Sequence, residues 1–202
     1  MITLYGSPRS SAGRCFWCLE EIGVKYKAIA IDFKTMEHKS ENFLKINPNG
    51  KIPALVDGNV TLFESMAINY YLAEKYKVEL MGKTIEEKAK VHQWSFWSIA
   101  ELQGPLIEIL IQKMFMPEGK KDQSIIDKNM EMLPNLMGVL NASLKDLKFL
   151  AGENFTLAEI NTASVVSIAP MIGFNLENYP NVARWLKAIS DRPSFIKYQG
   201  MR

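Results

Sequence analysis

With 202 residues, 48% of them hydrophobic and 23% charged, the chain has the make-up of a folded globular protein, long enough for one large domain or two small ones. A net charge of +2 excludes the strong basic excess that grips phosphate backbones, so no nucleic-acid partner is expected. Two cysteines, Cys15 and Cys18, cannot build a disulfide framework and fit a reducing compartment. The opening "MITLYGSPRS" has neither the basic nor the apolar region of a secretion signal, and the most apolar late stretch, "ASVVSIAPMIGF", is short and broken by Pro170. A cytoplasmic protein without a membrane partner is therefore expected.

The first part of the chain alternates short apolar runs with helical spacing. "ITLY" predicts a strand. Ala12, Cys15, Phe16, Leu19 and Ile22 share one helical face over 11–22, closed by Gly23. "KYKAIAID" predicts a second strand, and a weaker helix over about 37–46 stops before the turn "NPNG". "KIPALV", "DGN" and "VTLF" read as strand, tight turn and strand, followed by a helix from Ser65 to about Lys75. The order is βαβαββα, an α/β unit over 1–77.

From 84 onward the pattern is helical alone, so 84–202 is expected to be an all-helical domain. Its first helical pattern is very long and contains Gly104 and Pro105, which predicts a kink near the middle. Trp94, Phe96 and Trp97 fall at helical spacing and read as core. Residues 122–147 predict another amphipathic helix, interrupted near Pro134. Thr156 and Glu159 form a capping box, flanked by Phe155 and Ile160. A last helix is expected from about Tyr179 to Ser190.

The chemistry concentrates in "YGSPRSSAGRCFWCLEE". If the first strand ends at Tyr5 and a helix begins near Ser11, Ser10 lies at the strand-to-helix turn, where unpaired N–H groups favour an anion. Cys15 and Cys18 fall one to two turns inside among apolar residues, away from the exposed helix start that a redox thiolate needs, and read as buried and inert. No cysteine and histidine set has zinc spacing, and none implies a metal.

The order βαβαββα then helices, carrying "GSPRSSAGR", "NPNGKIPALVDGN" and "LFESMAI" in sequence, resembles the cytosolic glutathione transferases over essentially the whole chain. "HKSENFLKINPNGKIPALVDGNVTLFESMAINYYL" looks most similar to the phi class of plants and its bacterial relatives, with delta and theta enzymes also similar. The resemblance implies a thioredoxin-like N-terminal domain that binds glutathione and a C-terminal helical domain that supplies a hydrophobic pocket. It implies a detoxifying transferase joining glutathione, as co-substrate, to small apolar electrophiles, active as a homodimer and without a metal.

Site residues carry over from the same resemblance. Ser10, four positions before Arg14, matches the serine that holds the glutathione thiolate, while an ordinary helix cap is its alternative. Ile52 and Pro53 match the strand edge that takes the peptide backbone, with the proline cis. Glu64 and Ser65 match the pair that grips the γ-glutamyl end. His38, Lys39 and Lys51 match positions facing the glycine carboxylate, with solvated side chains as the alternative. Pro8 in the first turn, with Leu110, Met114 and Phe115 on the long helix, are candidates for the hydrophobic pocket or simply for core packing.

Three departures narrow the reading. The "NP.G" turn carries Asn49 where phi enzymes have a bulky residue that locks into the partner subunit. Ala12 follows the paired serines where isomerases of the zeta class have a cysteine, and omega-type thiol transferases have cysteine where Ser10 stands. The competing functions are a non-catalytic binding or interaction protein on the same scaffold, a glutathione-dependent isomerase or peroxidase, and a disulfide reductase using Cys15 and Cys18.

Overall fold

A computed structural model describes residues 1–202. The chain divides into two units, Met1–Met81 with Asp191–Arg202, and Gly82–Ser190. The first unit thus recruits a C-terminal segment that a division at 77 and 84 assigns to the helices.

In the first unit a four-stranded sheet is built from β1 (Ile2–Tyr5), β2 (Tyr26–Ile29), β3 (Ala54–Asp57) and β4 (Val60–Phe63), in the order β2-β1-β3-β4. β1 runs parallel to β2, and the pairs β1–β3 and β3–β4 are antiparallel. Parallel β1 and β2 need a crossover, which is α1 (Gly13–Ile22). All its residues from Gly13 to Leu19 are buried, and it stops at Gly23, whose φ of 81° lets its N–H close on the Leu19 carbonyl. The weak helix expected over 37–46 is two pieces: a 3-10 turn at Glu37–Lys39 and α2 (Glu41–Leu44), begun by Ser40, whose hydroxyl accepts the Phe43 N–H. α3 (Ser65–Tyr76) packs on α1.

Behind α1 lies α10 (Pro193–Gln199), a short helix that periodicity alone does not predict. Trp17, fully buried, meets Phe195 edge-on at 5.0 Å and stacks on Tyr198 at 6.2 Å. Glu21 accepts bonds from both Arg192 and Ser194, and Lys197 pairs with Glu20. Two aromatic contacts and three charge-assisted bonds hold this segment.

The second unit is helical: α4 (Ile85–Trp97), α5 (Gln103–Met114), α6 (Gln123–Ser143), α7 (Leu157–Val166), α8 (Ile168–Met171) and α9 (Pro180–Ser190). The irregularity expected near Gly104 and Pro105 lies just upstream, as a π-helical turn at Ser98–Leu102 that joins α4 to α5. Pro105 has no N–H to offer one turn back, and the wider turn absorbs that mismatch before the α-helix resumes. α6, by contrast, runs unbroken through Pro134. Trp94 is buried and Trp97 partly so, but Phe96 is 60% exposed; among the three aromatics, it does not belong to the core.

α7 is buried almost throughout, and the predicted capping box is present at its start. The fully buried Glu159 carboxylate accepts the Leu150 N–H at 2.6 Å, the Thr156 N–H at 2.9 Å and the Thr156 hydroxyl at 2.8 Å. Burial pushes its pKa up against these donors. Further along α7, Asn161 reaches the Ser95 hydroxyl at 2.9 Å and Thr162 the Trp94 carbonyl at 3.3 Å, fixing the helix against α4 beside the π-turn. No helix is long and apolar enough to cross a membrane.

Candidate active site

The loop from β1 to α1 carries both serines of interest. Before α1 begins, it is tightened by two turns, Ser10 N–H to the Ser7 carbonyl at 3.1 Å and Gly13 N–H to the Ser10 carbonyl at 2.8 Å. The helix therefore opens at Gly13, with Ala12 as its cap residue. Ser10 is half-buried; its hydroxyl donates to the Ser7 carbonyl at 2.7 Å and accepts the Ala12 N–H at 3.1 Å. Ser11 is exposed, and its hydroxyl donates to the Ile52 carbonyl at 3.1 Å.

That bond joins the loop to the segment ahead of β3, where the Ile52–Pro53 peptide is cis. Ile52 is partly exposed and Pro53 buried. Lys51 is exposed, and its carbonyl accepts the Asn47 amide at 2.6 Å. Asn47 in turn accepts the Asn49 N–H at 3.0 Å, so the "NPNG" turn is organised by one buried asparagine. The Lys39 ammonium is anchored on the Asn49 carbonyl at 3.3 Å. His38 stacks on Phe33, ring centroids 4.5 Å apart, and its Nδ1 is buried without a hydrogen-bond partner. His38, Lys39 and Lys51 therefore share one rim of the first unit, with His38 turned to an aromatic neighbour.

Glu64 and Ser65 sit at the mouth of α3. Glu64 has φ 70° and ψ 111°, a conformation costing a non-glycine residue on the order of 1–3 kcal/mol. Its side chain is exposed and does not cap its own helix, so the first N–H groups of α3 are left without a side-chain acceptor. Ser65 is buried, and its carbonyl accepts the Cys15 thiol at 3.3 Å, which ties α1 to this corner. Both thiols are fully buried; burial pushes Cys15 up to about 12 against the pull of Arg14, and raises Cys18 well above the ordinary thiol value. Neither has the exposure or the thiolate character of a redox cysteine.

Two further residues bear on the loop. Arg14 is buried within α1, where burial lowers its pKa while the Cys15 and Tyr198 groups oppose that shift. Tyr198 of α10 donates to the Pro8 carbonyl at 3.3 Å. Pro8 itself is half-buried. The remaining pocket candidates lie in the second unit at the end of α5: Leu110 is partly exposed, Met114 56% and Phe115 71% exposed, which rules out a place in the core for the last two.

A separate cavity of about 630 Å³ in the first unit is lined by Glu20, Val24, Tyr26, Pro193 and Lys197 and by none of the site residues predicted from the sequence. Its polar groups already satisfy one another: Glu20 accepts from the Tyr26 hydroxyl at 2.8 Å and pairs with Lys197.

Known proteins share this chain's sequence pattern and fold. Residues 1–74 match the family model for the glutathione S-transferase N-terminal domain and 102–193 that for the C-terminal domain. Glutathione S-transferase 1 of Zea mays is 39% identical over 200 residues, covering 96% of this chain and 94% of that protein. Glutathione S-transferase F9 of Arabidopsis thaliana is 31% identical, covering 96% and 94%. Among solved structures, glutathione S-transferase-I bound with lactoylglutathione superposes with a TM-score of 0.92 at 37% identity, covering 100% of this chain and 99% of that one. Glutathione S-transferase I from mais in complex with an atrazine glutathione conjugate gives 0.89 at 37%, covering 99% and 97%.

Proposed function

This chain belongs to the glutathione S-transferase family, and we propose that it is a serine-type member, akin to the phi class and its bacterial relatives, in which Ser10 stabilises the glutathione thiolate. The observation that carries this reading is the bonding of the Ser10 hydroxyl. Its oxygen is polarised by the Ala12 N–H, and its proton rests on a Ser7 carbonyl that also holds the Ser10 N–H. The proton can therefore turn to sulfur without stranding an acceptor.

The magnitudes suffice. A thiol of pKa about 8.5 is only a few per cent ionised at neutral pH, and bringing it to about 6.5 takes roughly 2.7 kcal/mol. One hydrogen bond to a charged group contributes about 1.5–3 kcal/mol, and the start of α1 adds about 0.3–1. The buried Arg14 places a further positive charge in the same helix. The sulfur then attacks an electrophilic carbon: the S–C bond forms, the halide or other leaving group departs with its electron pair, and the thiol proton is lost to solvent.

Glutathione would lie with its backbone on the Ile52–Pro53 edge. Its γ-glutamyl carboxylate would meet Ser65 and the free N–H groups of α3, its amino group Glu64, and its glycine carboxylate Lys39, Lys51 and His38. The strained backbone of Glu64 supports a functional place for that residue. An apolar electrophile is the second substrate, and the atrazine glutathione conjugate held by the mais enzyme supports this. The active form is a cytoplasmic homodimer whose contact does not use a bulky residue at Asn49.

Conjugation of glutathione to an aryl halide, compared between wild type and Ser10→Ala, tests the mechanism. A loss of about tenfold or more with glutathione binding retained is expected from one charge-assisted bond. Unchanged turnover removes Ser10 from the mechanism, and an unshifted thiol pKa in wild type favours a non-catalytic binding protein.

A further inference from the structure

The hydroxyl oxygen of Tyr198, in α10, touches the serine loop on both sides of Ser10. It donates to the Pro8 carbonyl at 3.3 Å, before Ser10, and it fills the space after Ser10 that a Cβ on Gly13 would need, 2.5 Å from that position. Between those points two turn bonds, Ser10 N–H to the Ser7 carbonyl and Gly13 N–H to the Ser10 carbonyl, fold the loop on itself and give it its shape. Ties to distant residues give it its place: Ser11 to Ile52, the Arg9 Nε–H to the Arg202 carbonyl, and Tyr198 to Pro8. The ring that carries the Tyr198 oxygen is itself fixed, stacked on Trp17 with the planes 8° apart and set edge-on to Phe195 at 6.0 Å. Burial raises the Tyr198 pKa against the Arg202 and Arg14 charges, so the hydroxyl keeps its proton and stays a donor.

We propose that Tyr198 is a positioning residue for thiol activation: its hydroxyl, seated against Pro8 and Gly13, fixes the stretch of backbone that aims the Ser10 hydroxyl at the glutathione sulfur. The proposal rests on the reading of Ser10 given above. The Ser10 oxygen accepts the Ala12 N–H, so the direction of its hydroxyl follows the backbone between Pro8 and Gly13. A hydrogen bond weakens steeply as its angle bends, so a small displacement of that backbone costs thiolate stabilisation. The contacts assigned to the rest of glutathione lie on other segments, at Ile52, Glu64 and Ser65. Losing the Tyr198 oxygen therefore changes the acidity of the bound thiol and leaves the grip on the tripeptide in place.

The test uses the full chain as wild type, Tyr198→Phe, Ser10→Ala and the double variant. Tyr198→Phe keeps the ring on Trp17 and removes the oxygen alone. Glutathione affinity is measured by calorimetry, the pKa of the bound thiol by thiolate absorbance across pH, and turnover with an aryl halide on either side of that pKa. Tyr198→Phe is expected to keep affinity within about twofold and to raise the bound thiol by about half a pKa unit, which lowers kcat about threefold at a pH of about 5.5 and little at a pH of about 8. In the Ser10→Ala background the same change should leave the thiol where it is, because its effect passes through that hydroxyl. An unmoved thiol pKa in Tyr198→Phe, with a lower urea midpoint or a loss of turnover equal at both pH values, overturns the proposal and leaves Tyr198 as a brace for α10. A loss confined to affinity overturns it too, as does a thiol shift of the same size with and without Ser10. If Ser10→Ala shifts the thiol and Tyr198→Phe does not, this inference alone fails. If Ser10→Ala leaves the thiol unshifted, the reading of Ser10 fails and takes this inference with it.

Discussion

Replacing Gly13 by alanine isolates how tightly the serine loop is held. Gly13 opens α1 with helical backbone, so in an open helix the change would be favourable by about 0.5–1 kcal/mol. Here a Cβ would stand 2.5 Å from the Tyr198 hydroxyl oxygen and 2.6 Å from the Pro8 carbonyl oxygen, far inside van der Waals contact. Neither neighbour yields easily: Tyr198 is 6% exposed and stacked on Trp17, and the carbonyl is backbone of the loop that carries Ser10. Overpacking of this kind costs about 1–3 kcal/mol, and displacing Tyr198 forfeits its bond to Pro8, about 1 kcal/mol. Set against the helical gain, Gly13→Ala should destabilise by about 1–3 kcal/mol, read as a lower urea midpoint at unchanged slope. Glutathione conjugation should fall as well, because the loop is the part that must move. Tyr198→Phe removes the nearer oxygen and leaves the Pro8 overlap, so the double variant should lose less than the sum of the singles by at least about 0.5 kcal/mol. A Gly13→Ala protein as stable as wild type would refute the reasoning outright.

Other outcomes follow from particular groups. Burial alone would raise Asp57, but hydrogen bonds from Lys75 at 2.7 Å, Tyr76 at 2.5 Å and Tyr71 at 2.9 Å overcome it and hold the carboxyl at about 2. A carboxyl depressed in the folded state stabilises above its unfolded value of about 4 and loses that contribution as pH falls toward 2. Discounted for the half-exposed Lys75, the effect is about 1–2 kcal/mol; Asp57→Asn should flatten the stability curve between pH of about 4 and 2, and an unchanged slope in urea titrations would count against it. Thr156→Ala removes the cap of α7 and one donor to the buried Glu159, and should cost about 2–3 kcal/mol in urea unfolding, with Thr156→Ser nearly neutral. Iodoacetamide at a pH of about 8 should label neither Cys15 nor Cys18 in the native protein and both in urea, since burial keeps the thiols protonated and covered; rapid native labelling would revive the disulfide-reductase reading.

The strand and helix order of the first unit was legible because its apolar residues are periodic: Cys15, Phe16 and Leu19 lie at helical spacing, and all are buried. The glutathione S-transferase fold was legible from three motifs in fixed order, and the family comparison agrees with it. What escaped the sequence depends on contacts between distant residues. α10 is too short for its periodicity to register, and its place is fixed by Trp17 and Glu21, far away in the chain. The Ser11–Ile52 bond has no local signal because it is a tertiary contact. Pro134 and Pro105 have the same local chemistry, yet one lies inside a continuous helix and the other follows a π-turn, so the outcome is set by what surrounds each. Arg14, which served in the sequence only as the marker four positions after Ser10, is buried, and nothing local to it signals that.

The return of α10 to the first unit makes that unit discontinuous along the chain. During synthesis, Trp17 and Glu21 emerge long before Phe195, Tyr198 and Arg192, with the whole helical unit made in between. The indole and the carboxylate therefore wait uncovered until the last helix leaves the ribosome, and the turn bearing Pro8 gains its tyrosine brace only then. A nascent chain halted before α10 would possess every residue assigned to glutathione and still lack the wall behind them.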